Sequence, residues 1–325
     1  MRWMGCVVAL ALVGCADDVE PAPAAEGSTA ADASTSAAPA STSTTTAAGS
    51  STSSTTTALT SASSSSGAPV STGTFEVLTY NVAGLPQGIS SSDPEAFIPQ
   101  ISPLLNTFPL VLVQEDFWYH AELTADLEHP HRSEPSPADP VRAGIGDGLN
   151  RFSQFPFEPV DRTQWPGCNG QLDCASDCLA RKGWSFARTT VDDGVEIDVY
   201  NLHMEAGGCP EDLEIRQRSA EEIAAALETL SAGRAVIVAG DFNLRADDPE
   251  DVDALGTMFN AGLRDACIEV DCGDERIDKV LLRDGDRVAL RADAWRVPPE
   301  FVDAREGGPL SDHLPVAVVL HYGPR

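Results

Sequence analysis

Carboxylate, amide and imidazole side chains lie beside apolar runs of this sequence. The run "VIVAGDFNL" (236–244) ends with Asp241 and Asn243 two positions apart. Residues of the same kinds adjoin other apolar runs, and these are Asn81, Glu115, His203, Asp312 and His313. Carboxylates and amides without thiolates suit a hard cation such as Mg²⁺ or Mn²⁺, and imidazoles and amides donate hydrogen bonds to phosphate oxygens. Together these groups predict metal-assisted attack of water on a phosphate ester.

A serine hydrolase is the competing interpretation, because Ser311, Asp312 and His313 are adjacent in the chain. Residues so close in sequence rarely converge as a catalytic triad, and the chain contains no G-x-S-x-G motif. The metal-dependent interpretation is therefore the stronger one.

Buried strands must position these side chains. Short apolar runs predict strands over 75–82, 110–115, 195–204, 235–241 and 315–322. One polar residue at a strand end is usually a turn former or a cap. Several such endings, all drawn from carboxylate, amide and imidazole, predict instead that the strand ends converge on one site.

Two further elements are predicted between and after these strands. Residues 211–230 form an amphipathic helix in which Ile223, Leu227 and Leu230 share one face and acids crowd the first turn. Residues 279–290 have the pattern of a hairpin that turns at Asp284 and Gly285. Strands mixed with a few helices predict layers of sheet and helix around one core.

The ordered set of motifs resembles the endonuclease/exonuclease/phosphatase superfamily, the group of deoxyribonuclease I. The matching blocks span residues 75–322 and read, in order, "TYNVAGLP", "LVLVQED", "GDGLNRFSQFPF", "DCLARKGW", "NLHMEAG", "GDFN", "RIDKVLL" and "SDHLP". Each block alone is weak evidence, whereas the ordered set is strong. The resemblance implies a four-layered α/β sandwich with two packed mixed β-sheets flanked by helices.

The resemblance also implies a role for each site residue. Glu115 would be the principal ligand of Mg²⁺, or of Mn²⁺ or Ca²⁺, with Asn81 beside it and Asp312 as a further ligand. His203 and Asn243 would hold phosphate oxygens.

The remaining roles concern proton transfer. Asp241 would orient or activate the attacking water, and His313, steadied by Asp278, would be a general base or a phosphate contact. Which of Asp241 and His313 is the general base stays open at this point.

The motifs "TYNVAGLP" and "DCLARKGW" are most similar to the sphingomyelinase C-like branch of the superfamily. Ala83 stands where the apurinic endonucleases of the superfamily carry an aspartate, which weakens a DNA-repair interpretation. The expected substrate is therefore a phosphodiester, with a phospholipid head group favoured over nucleic acid. The alternatives are a secreted nuclease acting on extracellular DNA or RNA, and a noncatalytic binding protein on the same fold.

The amino-terminal segment differs in composition from the rest. Residues 1–14 have the pattern of a signal peptide, and "LVGC" resembles a bacterial lipoprotein signal in which Cys15 is acylated. Residues 15–74 are rich in Ser, Thr and Ala and predict a disordered linker. We therefore expect a domain over 75–325 that is lipid-anchored at the outer membrane or cell surface, with ordinary secretion as the alternative.

The acidic composition of the domain agrees with export. Residues 1–74 hold five of the chain's 50 acids and one of its 21 bases, which leaves the domain with 45 acids, 20 bases and a formal net charge of −25. Such a field repels polyanions and disfavours nonspecific nucleic-acid binding. We expect a monomer.

The domain's cysteines number six, an even count that predicts three disulfides in an exported chain. They are Cys168, Cys174, Cys178, Cys209, Cys267 and Cys272. Cys267 with Cys272 is the one pairing that the sequence favours, because these residues flank a short loop. A zinc site at Cys168, Cys174 and Cys178 with His203 or Cys209 is the weaker alternative, since the spacing matches no common zinc motif.

Overall fold

The computed structural model describes residues 69–89, 92–137, 145–170, 178, 180, 182–273 and 276–325. The predicted signal peptide, the lipidation site Cys15 and nearly all of the predicted linker lie outside these residues, so those assignments stay predictions. Within the described ranges, no helix combines the length and apolar character that a membrane span needs.

Two six-stranded sheets form the centre of the described domain. The first contains β1 (Gly73–Asn81), β2 (Leu110–Gln114), β3 (His131–Arg132), β4 (Asn150–Ser153), β11 (Val288–Arg296) and β12 (Val316–Pro324). The second contains β5 (Asp161–Gln164), β6 (Gly183–Asp192), β7 (Val195–His203), β8 (Val236–Asp241), β9 (Arg264–Asp265) and β10 (Asp278–Arg283). The strand orders are β11-β12-β1-β2-β4-β3 and β5-β6-β7-β8-β10-β9. Both sheets are mixed, because β1 pairs in parallel with β2, and β7 with β8, among antiparallel neighbours.

The helices are α1 (Pro94–Leu104), α2 (His120–Leu123), α3 (Pro210–Thr229), α4 (Val252–Asn260) and α5 (Ala266–Glu269), with a 3₁₀ turn at Leu105–Thr107. Helix α1 packs on the outer face of the first sheet, where Ile98 and Ile101 join a cluster with Leu78 and Val111. Helices α3 and α4 cover the outer face of the second sheet.

The inner faces of the two sheets meet in a third apolar cluster, in which Val77 and Leu112 share a core with Ile197 and Ile237. Burying each such side chain contributes roughly 1.5–3 kcal/mol. The strands that end at the site are buried on both faces, which accounts for their continuous apolar runs. The predicted four-layered sandwich of two mixed sheets flanked by helices is confirmed.

The five predicted strands are confirmed as β1, β2, β7, β8 and β12, and the predicted helix as α3. The predicted hairpin at 279–290 is wrong. A turn does lie there, and the Gly285 amide donates to Val288 O. However, β10 pairs with β8 and β9 while β11 pairs with β12, so the turn carries the chain from one sheet to the other.

Disulfides close two loops of the described domain. The predicted pair Cys267–Cys272 is confirmed. Cys168 is bonded to Cys178, and Cys209 is also in a disulfide. The zinc alternative is therefore wrong, because Cys168, Cys178 and Cys209 have no free thiolate to offer. Cys174 lies outside the described residues.

Candidate active site

The carboxyl ends of the central strands of both sheets meet at one edge of the sandwich. Strands β1 and β2 of the first sheet end at Asn81 and immediately before Glu115. Strands β7 and β8 of the second sheet end at His203 and Asp241, which are partners in the strand register. The predicted convergence of these four residues is confirmed, and each sheet supplies half of the set.

Backbone conformation turns the chain sharply just after two of these strands. Glu115 has φ of 57° and Asn243 has φ of 49°, both in the left-handed region that non-glycine residues seldom adopt. Such a residue costs on the order of 1–3 kcal/mol and persists only when its surroundings hold it there. The Gly84 amide holds the first turn by donating to Glu115 O at 3.0 Å. Both turns thus keep a polar side chain at the strand edge.

Asn81 joins the two halves of the site. Its Nδ2 donates to Glu115 Oε1 and to Asp241 Oδ2, each at 3.1 Å. Its Oδ1 accepts from the Ala83 amide at 3.0 Å, which fixes the orientation of the side chain. One fully buried amide therefore connects the carboxylate of the first sheet to that of the second.

Asp241 lies at the centre of the site. Its Oδ2 is 3.3 Å from His203 Nε2 and 3.7 Å from His313 Nε2, and its Oδ1 accepts from the Asn243 amide at 3.0 Å. The preceding Gly240 allows this placement, because a Cβ there would lie 2.0 Å from Leu202 O on the neighbouring strand. Burial and the nearby Asp278 carboxylate raise the pKa of Asp241 to about 7.

The two histidines of the site differ in charge. Burial lowers the pKa of His203 well below its ordinary value, so its imidazole is neutral. Burial also acts to lower the pKa of His313, but a hydrogen bond from Nδ1 to Asp278 Oδ2 at 2.9 Å and the nearby carboxylates raise it to about 10. His313 is therefore an imidazolium held by Asp278. The predicted pairing of His313 with Asp278 is confirmed.

The remaining predicted residues lie at the rim. Asn243 is partly buried and its Nδ2 donates to Met204 O at 3.0 Å. Asp312 is exposed, and its Oδ1 accepts from Ser311 Oγ at 3.3 Å. The Ser311 hydroxyl also donates to Asn81 O at 2.8 Å, whereas the His313 ring pairs with Asp278. The triad interpretation is therefore wrong.

Lys182 is a site residue to which the sequence gave no role. It is buried just before β6, and its Nζ donates to Met204 O at 3.2 Å. Its positive charge acts to lower the pKa of Glu115 and of Asp241, although burial raises both overall. It lies within the quoted block "DCLARKGW", but nothing in that block distinguishes it from a surface lysine.

The donor set fits a hard divalent cation. Glu115 is a partly buried carboxylate whose pKa burial raises, and a bound cation would favour its charged form. Asp278 Oδ1 is buried, and no described residue forms a hydrogen bond with it. Asp241, Asp278 and His313 place one ligand atom each within 4.8 Å of one another. The residues could thus hold an ion at the predicted pair Glu115 and Asn81, or at this second group once His313 loses its proton to become a ligand.

Comparison with known proteins finds the family that the sequence motifs predict. The model of the endonuclease/exonuclease/phosphatase family matches residues 78–313. A sphingomyelinase of Mycobacterium bovis is 35% identical over 273 residues, covering 77% of this chain and 53% of the relative. The chain thus spans about half the length of the curated relatives it matches.

Solved structures share the fold at low sequence identity. Sphingomyelinase C from Streptomyces griseocarneus aligns with a TM-score of 0.58 and 19% identity, over 76% of this chain and 99% of that one. A beta toxin mutant from Staphylococcus aureus with bound magnesium ions aligns with a TM-score of 0.55 and 15% identity, over 76% and 99% of the two chains. With the ordered motifs and the convergent strand ends, the family match establishes that this chain belongs to the endonuclease/exonuclease/phosphatase family.

Proposed function

We propose that this protein is a metal-dependent phosphodiesterase that hydrolyses the head-group bond of a zwitterionic phospholipid of the sphingomyelin class. The observation that carries the proposal is the buried Asp241 carboxylate, which lies within 3.7 Å of donors from Asn81, His203 and His313. A phosphoryl group bound there would meet a proton acceptor, hydrogen-bond donors and a divalent-cation site together.

The charge states suggest how the residues divide the work. Asp241, with its pKa raised by burial to about 7, is suited to accept the proton of the attacking water. His313 is already protonated, so it acts as a donor to a phosphoryl or leaving-group oxygen. Neutral His203 and the side-chain amide of Asn243 orient the remaining phosphoryl oxygens. A bound divalent cation would supply Lewis-acid stabilisation of the developing negative charge.

Two exposed apolar side chains beside the site favour a lipid surface as the source of substrate. Trp118 is 61% exposed and Ile89 is 66% exposed. Their loops are joined by a hydrogen bond from the Trp118 amide to Gly84 O at 3.0 Å, and Gly84 in turn contacts the backbone of Glu115. Segment 83–89 carries no charged side chain. An uncharged segment beside the site, on a domain with net charge −25, suits a zwitterionic bilayer better than a polyanion.

Replacing Trp118 with Ala tests this surface. We expect turnover of sphingomyelin in phosphatidylcholine vesicles to fall by about tenfold, because the truncation removes a large apolar ring of the kind that concentrates at membrane interfaces. Turnover of soluble bis(p-nitrophenyl) phosphate should not change. Leu230→Ala, at an exposed apolar residue at the end of α3, is the matched control. An equal loss on both substrates would contradict a role in docking.

Hydrolysis assays test the proposed function directly. Residues 69–325 and the full chain are assayed with sphingomyelin vesicles, bis(p-nitrophenyl) phosphate and plasmid DNA, with Mg²⁺, with Mn²⁺ and with EDTA. We expect metal-dependent release of phosphocholine that His313→Ala abolishes. Cleavage of DNA without release of phosphocholine would support the nuclease alternative instead. Absence of turnover on all three substrates by folded, metal-loaded protein would support a noncatalytic binding protein.

A further inference from the structure

The two halves of the active site are held together by more than the apolar core. Asn81 and Glu115 belong to the first sheet, whereas His203 and Asp241 belong to the second. Apolar contacts between sheets are non-directional, so they hold the layers together without fixing how one is offset against the other. Directional contacts must therefore set the distance between the two halves.

A group of buried hydrogen bonds crosses between the sheets directly below the site. Gln114 Nε2 of the first sheet donates to Asn201 Oδ1 of the second at 2.7 Å. Asn201 Nδ2 donates in return to Val113 O at 2.9 Å and to Asn150 O at 3.1 Å, both in the first sheet. Gln114 also donates to Thr79 Oγ1 at 3.1 Å. We call Thr79, Gln114, Asn150 and Asn201 the inter-sheet bridge.

The inter-sheet bridge is in register with the site. Asn201 precedes His203 by two residues on β7, and Thr79 precedes Asn81 by two residues on β1. Side chains two apart on a strand point to the same face, so Thr79 and Asn201 each lie one repeat, about 7 Å, below a site residue. Gln114 directly precedes Glu115. A shift of the bridge would therefore move both halves of the site relative to each other.

The buried polar side chains of the inter-sheet bridge also have hydrogen-bond partners. Thr79, Gln114 and Asn201 have no exposed surface, and both polar atoms of the Asn201 amide are used. Burying an amide is unfavourable unless its partners are all present, and that condition is met in one offset of the sheets. Arg151 adds a second crossing further from the site, with Nη2 donating to Ser185 O at 3.2 Å.

We infer that Asn201 is a positioning residue, which sets the separation of Glu115 and Asn81 from His203 and Asp241 without touching substrate. This inference rests on the proposed function for its catalytic consequence. Displacements of about 1 Å can cost up to 100-fold in rate. Losing the bridge should therefore affect the chemical step much more than substrate binding.

The test is Asn201→Leu, which replaces the amide with an apolar side chain of similar size. We expect kcat for bis(p-nitrophenyl) phosphate to fall by about tenfold or more, with KM within about twofold of wild type. Tyr200→Phe is the matched control on the same strand, since it removes a buried hydrogen bond to Ser231 at 2.8 Å that does not cross between the sheets. The control should lose stability and keep its kcat.

Amide exchange provides a readout that does not depend on turnover. The Ala83 and Asn243 amides donate to the side chains of Asn81 and Asp241, so their exchange reports the geometry of each half. We expect faster exchange of both amides in Asn201→Leu and unchanged exchange in Tyr200→Phe. Unchanged exchange in folded Asn201→Leu would overturn the inference, and so would a kcat within twofold of wild type. If wild type has no turnover, the proposed function fails while exchange still tests the bridge.

Discussion

Asp241→Asn is expected to lower kcat by about 10²–10⁴-fold, the range for loss of a general base. The carboxylate is the buried acceptor at the centre of the site, and burial raises its pKa into the range where it can take a proton from water. An amide cannot accept that proton. The asparagine side chain also has a single oxygen, whereas Asp241 uses two oxygens as acceptors. One accepts from Asn81 Nδ2 and the other from the backbone amide of Asn243. KM for a soluble phosphodiester should change little.

The measurement is kcat and KM on bis(p-nitrophenyl) phosphate at saturating Mg²⁺, with circular dichroism to verify the fold. Asp247→Asn is the matched control, because Asp247 is an exposed acid six residues away whose contact is a surface ion pair with Arg245 at 3.3 Å. The control should retain wild-type kinetics. Retention of a third or more of wild-type kcat by folded Asp241→Asn would show that another group accepts the proton.

Glu115→Gln is expected to abolish both metal activation and most of the turnover. The change removes a negative charge from a partly buried position beside Asn81 while preserving the size of the side chain. Mg²⁺ should raise the Tm of wild type, and we expect this rise to be absent in Glu115→Gln. Turnover should fall by about 10²-fold or more, comparable to the loss of a group that stabilises transition-state charge. Differential scanning fluorimetry across a Mg²⁺ titration, with kinetics on the same samples, measures both effects.

A second variant decides between the two possible metal positions. Asp278→Asn alters the group formed by Asp241, Asp278 and His313 and leaves Glu115 in place. If the ion binds at Glu115, Asp278→Asn keeps the Mg²⁺-dependent rise in Tm and loses rate through His313. If Glu115→Gln keeps that rise and Asp278→Asn loses it, the ion binds at the second group and the predicted role of Glu115 is wrong.

The sequence left open whether Asp241 or His313 is the general base, and the tertiary structure favours one of them. Asp241 and His313 are both titratable groups in strong motifs, so their order along the chain does not distinguish them. In the folded domain, His313 lies against Asp278 and near Asp241, and these carboxylates hold it in its protonated form. That charge state favours Asp241 as the acceptor, and its largest contribution comes from Asp278, 35 residues away in sequence.

Local features of the sequence determined the elements and the residue types of the site. Buried strands such as β2 and β8 were predictable because both of their faces are covered, which requires continuous apolar runs. The Cys267–Cys272 disulfide was predictable because its loop is short. Strand β6 was not predicted, because residues such as Arg188 and Thr190 interrupt its apolar pattern.

Long-range contacts decided the rest. The turn after β10 has a hairpin's local signal, yet β10 and β11 join different sheets, because hydrogen bonding to β8 and β12 outweighs the local preference. The link from Asn81 to Asp241 spans 160 residues of sequence, and the hydrogen bond from buried Lys182 to Met204 O spans 22. Sequence spacing specifies which groups a site contains, but only the packing of one sheet on the other specifies which atoms touch.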